Sequence, residues 1–392
     1  MLLGRYYDAM ELHREDKIVF ARFLSPHTVL STSRAGGGYR EDVTVLFNHQ
    51  SCEPGGHGHG KASKGYTDPE GYMADICAEH GLPASESASL STAANMHLVA
   101  VKERSFKELT VIAAVTGGVE GNAGRAGDPA VGYEGPEGYE SVSPDSGSVP
   151  KPGTINTLLF INKPLNPGAL VRTVMMATEA KTAALQELNV NSRYSDGLAT
   201  GTGTDQIGVA AKKEPGYPEL TNAGKHSKLG ELIGLTVKEA TKAVLVRQNG
   251  MSPDRQCSAK ILLERFFKRD SFHWGIRGVD LAELFSKGLD DPEDARLFQD
   301  NRLPLFHDPV NAAAVMALVH LRDQFAWGVL PPLVWPEVMA AHAAQLVAAI
   351  SGKYHRLPEY REMFRPNPDD RSNEAFIRMV GKAFAIGFKE KW

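Results

Sequence analysis

Residues 157–188 read TLLFINKPLNPGALVRTVMMATEAKTAALQEL and contain both kinds of element from which the first part of the chain is built. Residues 157–161 form a short β-like run without alternation, the pattern of a strand buried on both faces. Asn166-Pro167 supplies an N-cap followed by an N1 proline, which opens a helix to about Leu188. An apolar stripe at spacings of three and four runs through 170, 174, 178, 181, 185 and 188, with Lys181 in its middle. A buried ammonium needs a partner or a route to water. Either Lys181 snorkels outward, or the helix lines a polar cavity with Lys181 or the adjacent Glu179 pointing into it.

Upstream, β-like runs at 17–23 and 28–33 are joined by Ser25-Pro26-His27 as a hairpin, and further runs fall at 43–48, 98–102 and 109–115. A short helix at 71–80 ends on Gly81, which suits a left-handed cap. Downstream come a strand at 207–211 and a helix at 231–247. Strands cluster in twos and threes ahead of helices instead of alternating with them. The expected fold class is therefore α+β: a layered sandwich with a mixed or antiparallel sheet and packed helices, followed by a mostly α-helical C-terminal region. Residues 131–153, rich in Gly, Pro, Ser and Glu, read as a surface loop, either a plain insertion or a lid.

Beyond residue 250 the pattern is almost entirely helical. Asp308-Pro309 starts a helix that ends by Gly328, and Ser372 caps another bearing Phe376, Met379, Ala383 and Phe384. The turn chemistry of Gly250-Met251-Ser252-Pro253 divides the chain into an α+β domain, 1–250, and an all-helical accessory domain, 251–392, to which no role is assigned. The histidines of the second part, His273, His307, His320, His342 and His355, show no ligand spacing.

Composition narrows the class. With 392 residues, 42% hydrophobic and 23% charged, the chain is neither disordered nor a small disulfide scaffold. The net charge of −4 lacks the basic excess of a protein that grips phosphate backbones, so no nucleic-acid partner is expected. Cys52, Cys77 and Cys257 are scattered and form no C-x-x-C pair, which argues against a disulfide framework and a thiolate zinc site. The opening MLLGRYYDAMELHRED places charges where a signal peptide needs an apolar run, and no stretch of about 18 apolar residues spans a bilayer. A cytoplasmic protein without a membrane partner is the expectation, with a homo-oligomer left open.

Chemistry concentrates in a few stretches. VTGGVEGNAGRAGD, 115–128, runs from a buried strand into a glycine-rich turn with Asn122, Arg125 and Asp128. Around Gly117 and Gly118 no Cβ blocks the approach of backbone N–H groups to a ligand. The segment is neither a P-loop nor a G-x-G-x-x-G fingerprint, and a tight turn is the alternative. GTIN, 153–156, places the Asn156 amide just before a strand. In ATGTGTD, 199–205, period two puts the hydroxyls of Thr200, Thr202 and Thr204 on one face if the segment is extended, ahead of Asp205. A nucleophilic threonine there needs an adjacent base, and no local pattern supplies one. GKHSKLGELIG, 224–234, offers His226 as a general base and Glu231 as its orienting carboxylate. His57 and His59 in GGHGHG, with Cys52 upstream, form an H-x-H clasp or a plain flexible loop.

Together with LSTSRAGGG at 30–38, Asn48-His49, STAANM at 91–96 and TEAKTAALQEL at 178–188, these segments resemble the adenosylcobinamide amidohydrolase family over residues of about 15–250. The resemblance implies a corrinoid-salvage enzyme. Members hydrolyse the amide between the corrin propionyl side chain and aminopropanol, giving adenosylcobyric acid. The corrinoid would be a small-molecule substrate, held by short polar groups at Arg125, Asp128, Asn156, Glu179, Lys181, Thr200, Thr202 and Thr204. For catalysis, His226 or His49 would act as base or acid, oriented by Asp205 or Glu231, with oxyanion donors from Asn122 and the backbone at Gly117 and Gly118. A divalent metal that generates hydroxide is an equal route. On this scheme His226→Ala and Asp205→Ala each abolish turnover. A non-catalytic corrinoid carrier and a phosphate-handling transferase are the rivals. The resemblance does not reach residues 251–392.

Overall fold

The computed structural model describes residues 1–51, 64–65, 67–130, 132–142, 153–267 and 280–391. The chain forms two compact units, Met1–Met251 and Ser252–Trp392. The first is an α+β sandwich. Its strands are β1 (Leu2–Tyr6), β2 (Met10–Glu15), β3 (Ile18–Phe23), β4 (His27–Ser31), β5 (Gly38–Arg40), β6 (Val45–Gln50), β7 (Ser87–Thr92), β8 (Ala100–Phe106), β9 (Leu109–Gly118), β10 (Ala123–Gly124), β11 (Gly132–Gly135), β12 (Gly138–Ser141), β13 (Thr154–Ile161), β14 (Gly201–Thr202) and β15 (Gln206–Lys212). Three long helices accompany them: α1 (Pro69–Glu79), α2 (Pro167–Glu187) and α3 (Lys228–Asn249).

Two mixed sheets face each other. One has the order β1-β2-β3-β6-β7 and the other β5-β4-β15-β13-β9-β8. Only β6/β7 and β13/β15 run parallel within them, as expected where a helix-bearing connection returns the chain to the same end. Period two sorts the side chains. Leu46 and Leu90 meet Ile112, Leu158 and Phe160 between the sheets. Phe20, Val45 and Phe47 face outward onto Tyr72, Met73 and Ile76 of α1. The outer face of the second sheet is covered by α2 and α3 through Val115, Leu159, Leu170, Leu185, Val237 and Val244. The layer order is helix, sheet, sheet, helices.

Helix ends follow their local chemistry. Asn166 accepts from the Ala169 N–H with Pro167 behind it, and Ser227 accepts from Gly230. Gly81 and Gly250 take φ of 63° and 64° at the C-terminal ends of α1 and α3, the left-handed conformation that costs glycine nothing.

Two expectations change, and one further hairpin comes without a sequence signal. Residues 17–23 and 28–33 are not a hairpin: β3 lies in the first sheet and β4 in the second, so Ser25-Pro26-His27 is the crossing between layers. The described part of 131–153 is not an irregular loop but a two-stranded hairpin, β11 with β12. The β1–β2 hairpin carries no Asn-Gly signal, because its tight turn uses Tyr7 and Asp8 at φ 37° and 52°, where glycine or asparagine is usual.

The second unit is helical. Its helices Pro309–Ala326, Trp335–Ser351 and Asn373–Lys391 share a core containing Phe285, Phe298, Phe306, Trp335, Phe376 and Phe384. Gly381 is required there, since a Cβ would come within 2.6 Å of the Phe285 ring. Pro332–Ser351 is long and apolar enough to cross a membrane, with mean hydropathy 1.4, and half of it is buried in the core. Its sequence is not an unbroken apolar run, because Glu337, His342 and Gln345 interrupt it.

Candidate active site

Strand direction gathers the motifs. β9 ends at Gly118 opposite Thr154, the first residue of β13, and Asn156 is in register with Gln206, the first residue of β15. β4 ends beside the same edge, with Ser31 opposite Gly208 and Thr32 bonded to the Ile207 backbone. The facing sheet brings the ends of β6 and β7 over this edge through Asn48 and Ser91. Segments 30–38, 48–49, 91–96, 115–128, 153–156 and 199–205 thus meet at one end of the sandwich.

A buried amide network bridges the two sheets there. Asn156 Nδ2 donates to Asn48 Oδ1 and to the Ser91 carbonyl, both at 2.9 Å, and Asn48 Nδ2 donates to Thr116 Oγ1 at 2.8 Å. Asn156 Oδ1 accepts from the Gln206 N–H at 3.1 Å, while Gln206 Oε1 accepts from Ser91 N–H at 2.9 Å. Asn48, Thr116 and Asn156 are fully buried, so each amide atom has to be matched inside the protein.

Beside it, Asn122 Nδ2 donates to the Gly153 carbonyl at 3.1 Å, and its Oδ1 accepts from the Tyr194 hydroxyl at 2.7 Å. The Thr154 and Thr204 hydroxyls lie 2.5 Å apart. Arg125 and Asp128 are loop braces. Asp128 Oδ2 accepts from the Arg125 N–H and the Ser192 hydroxyl, both at 2.6 Å, and Arg125 Nη1 donates to Leu198 O at 3.2 Å. Thr200 Oγ1 accepts from the Ala126 N–H at 2.8 Å.

The third assembly centres on a buried ion pair. Lys181 Nζ contacts Asp205 Oδ2, and both side chains are 9% exposed. The same carboxylate accepts from the Ile155 N–H at 2.7 Å, the Thr202 N–H at 2.9 Å and the Thr202 hydroxyl at 2.5 Å. Lys181 therefore neither snorkels nor stands unpaired; Asp205 is the compensating partner that its place in the stripe demanded. A Cβ on Gly201 would stand 2.6 Å from Asp205 Oδ2 and 3.0 Å from Lys181 Nζ, so glycine is what lets the pair form across this strand.

Other expected site residues lie elsewhere. Lys228, two residues after His226, sits 4.7 Å over the Phe106 ring at the β8–β9 turn. That turn is separated from Gly118 by the ten residues of β9, about 30 Å of strand. His226 and Glu231 are exposed, and Glu231 pairs with Lys228 at 2.6 Å. They do not meet Asp205, because α3 starts at the far end of the sheet and returns along it. Glu179 points away from the buried pair to Lys225. His49 is buried, but period two turns it from Asn48 toward α1, where Nδ1 lies 2.5 Å from the Tyr72 hydroxyl. Gly117 and Gly118 are strand residues in register with Ile155 and Thr154, not an open turn. A Cβ on Gly117 would lie 3.2 Å from Val244 Cγ1, so its smallness serves the packing of α3. Cys52, His57, His59 and His273 lie outside the described residues. Among the described residues, no group of three His, Cys, Asp or Glu side chains is placed to hold a metal.

Asn48, Ser91, Thr116, Thr154, Tyr194 and Gln206 join the cluster without having been singled out as site residues. Asn48, Ser91, Thr116 and Thr154 do stand inside quoted motifs; strand period two turns Asn48 and His49 to opposite faces.

The model of a family described as adenosylcobinamide amidohydrolase matches residues 3–253. The matched region begins with β1, upstream of the motifs read from the sequence. The chain is 34% identical over 238 residues to an uncharacterised protein of Methanocaldococcus jannaschii, covering 60% of this chain and 88% of that one. It is 32% identical over 127 residues to a Halobacterium salinarum protein named adenosylcobinamide amidohydrolase, covering 30% of this chain and 49% of that protein. Fold and motif cluster define an α+β sandwich with a buried polar cluster at one end. The chain belongs to the adenosylcobinamide amidohydrolase family.

Proposed function

We propose that this protein hydrolyses the amide joining aminopropanol to the corrin ring of adenosylcobinamide, releasing adenosylcobyric acid for cobalamin salvage in the cytoplasm. Besides family membership, the observation that carries this reading is the convergence of the separated glycine, threonine and asparagine stretches on one end of the sandwich. A corrinoid is a broad macrocycle whose rim carboxamides both donate and accept. Short hydroxyl and amide side chains answer that pattern, and a rigid support keeps them oriented. The network of Asn48, Asn156 and Gln206 is that support. Thr200, Thr202 and Thr204 line the rim contact. Asn122 keeps a second amide hydrogen beyond the one given to Gly153, which suits an oxyanion donor.

The test is incubation of the purified protein with adenosylcobinamide, followed by mass spectrometry of both products. Stoichiometric aminopropanol with the new carboxylate supports the reading. Tight binding without released amine supports the carrier alternative. Turnover that survives exhaustive chelation assigns water or nucleophile activation to side chains; loss that is restored by a divalent ion assigns it to a metal.

A further inference from the structure

We infer that Thr202 is the nucleophile of the hydrolysis proposed above, with Asp205 as its proton acceptor and donor and Lys181 as the positioning residue; this rests on that reading. No local pattern marks a base for the threonines, but the turn at 202–205 brings Asp205 back onto Thr202. Thr202 Oγ1 donates to Asp205 Oδ1 at 2.5 Å, the nucleophile–base contact that activation of a hydroxyl requires. Thr202 is half-buried, whereas the side chains of Asp205 and Lys181 are 9% exposed. The residue thus reaches the surface, with its hydroxyl turned to Asp205 and accepting from the Thr204 N–H at 3.4 Å. Residues 201 and 203 are glycines, which leaves the flanks of Thr202 without side chains.

The buried charge is the second strand of the inference. Removing an ammonium and a carboxylate from water costs more than their attraction reliably returns. The turn at 202–205 could be tied by the carboxylate alone, since Thr202 and Ile155 already donate to it. Lys181 adds a fixed positive charge on the side of Asp205 away from Ile155, and it holds Oδ2 so that Oδ1 stays on the hydroxyl.

The step balances with water as the only co-reactant. Thr202 Oγ1 bonds to the amide carbon as its proton passes to Asp205. The C–N bond then breaks as Asp205 returns that proton to the amine nitrogen, and aminopropanol leaves. A Thr202 ester of the corrinoid acid remains. Water attacks the ester carbon and gives its proton to Asp205, and Thr202 leaves with that proton restored, freeing the carboxylic acid. Asn122, whose amide lies 3.3 Å from the position of a Cβ on Gly203, is placed to donate to the oxyanion of both tetrahedral intermediates.

The experiment compares the full-length wild type with Thr202→Val, Thr202→Ser and Asp205→Asn, using adenosylcobinamide. Expected are a loss of about 10³-fold or more in aminopropanol release for Thr202→Val, retention within about 10²-fold for Thr202→Ser, and a loss of about 10²- to 10⁴-fold for Asp205→Asn. Acid quenching during wild-type turnover should give a corrinoid-acyl mass on the peptide that carries Thr202, absent from Thr202→Val. Melting curves and equilibrium dialysis with the substrate establish that Thr202→Val is folded and binds. If it is not folded, the adduct and the serine variant decide. Thr202→Val turnover within tenfold of wild type, or no adduct on Thr202 under quench, overturns the assignment while leaving the hydrolase reading intact. A wild type that releases no amine overturns both.

Discussion

Asp205 spends both carboxylate oxygens on bonds that tie three segments together: α2 through Lys181, the start of β13 through Ile155, and its own turn through Thr202. The glycine at 201 belongs to that arrangement. Gly201→Ala drives a methyl into the pair, and a destabilisation of about 2 kcal/mol is expected, read as a melting point lowered by about 5 °C. A second residue-scale effect concerns His27, which is fully buried. Its Nδ1 donates to the Ser25 carbonyl at 2.8 Å and its Nε2 accepts from the Tyr7 hydroxyl at 3.2 Å. Burial pushes its pKa from 6.5 down to about 4. Between those values the unfolded chain holds a proton that the folded protein refuses, so stability present above pH 6.5 is lost as pH falls toward 4. The loss amounts to about 3 kcal/mol from this group. Chemical denaturation at pH 7 and pH 4.5 should show it, and His27→Gln should reduce the difference between the two by about 2 kcal/mol.

At the level of elements, direction decides which loops can share a site. β13, α2 and β15 form a parallel crossover, so β13 and β15 begin at the same end and present 153–156 and 199–205 together. Antiparallel β9 finishes there and contributes 115–128. The α3 helix begins at the opposite end, carrying His226 and Glu231 with it. His226→Ala and Glu231→Ala are therefore expected to keep wild-type kcat and KM within about twofold, because surface substitutions remote from a site change little. A loss of turnover in either, with the fold retained, would return them to the mechanism.

On the scale of the whole molecule, each unit has its own core. Met1–Met251 is built around two facing sheets and Ser252–Trp392 around aromatic helix packing. A protein ending at residue 253, the limit of the family match, should fold with a cooperative melt and release aminopropanol from adenosylcobinamide. Retention of circular dichroism with loss of turnover would assign the helical unit a part in the chemistry. The sequence by itself determined the elements with strong local signals: the helix capped by Asn166 and Pro167, the unalternating strand before it, Gly81 at a helix end, and the need of Lys181 for a partner. These depend on neighbours within a turn or a strand repeat, which local chemistry fixes. Motif order and spacing also sufficed for the family. Only the tertiary structure decided that Asp205 is that partner, that Asn48 rather than His49 faces the cluster, that β3 and β4 part into different sheets, and that His226 is remote. Each of these depends on strand order and layer packing, made by contacts such as Asn156 with Asn48, 108 residues apart. Burial and complementarity between distant segments choose such contacts, and periodicity within either segment carries no record of them.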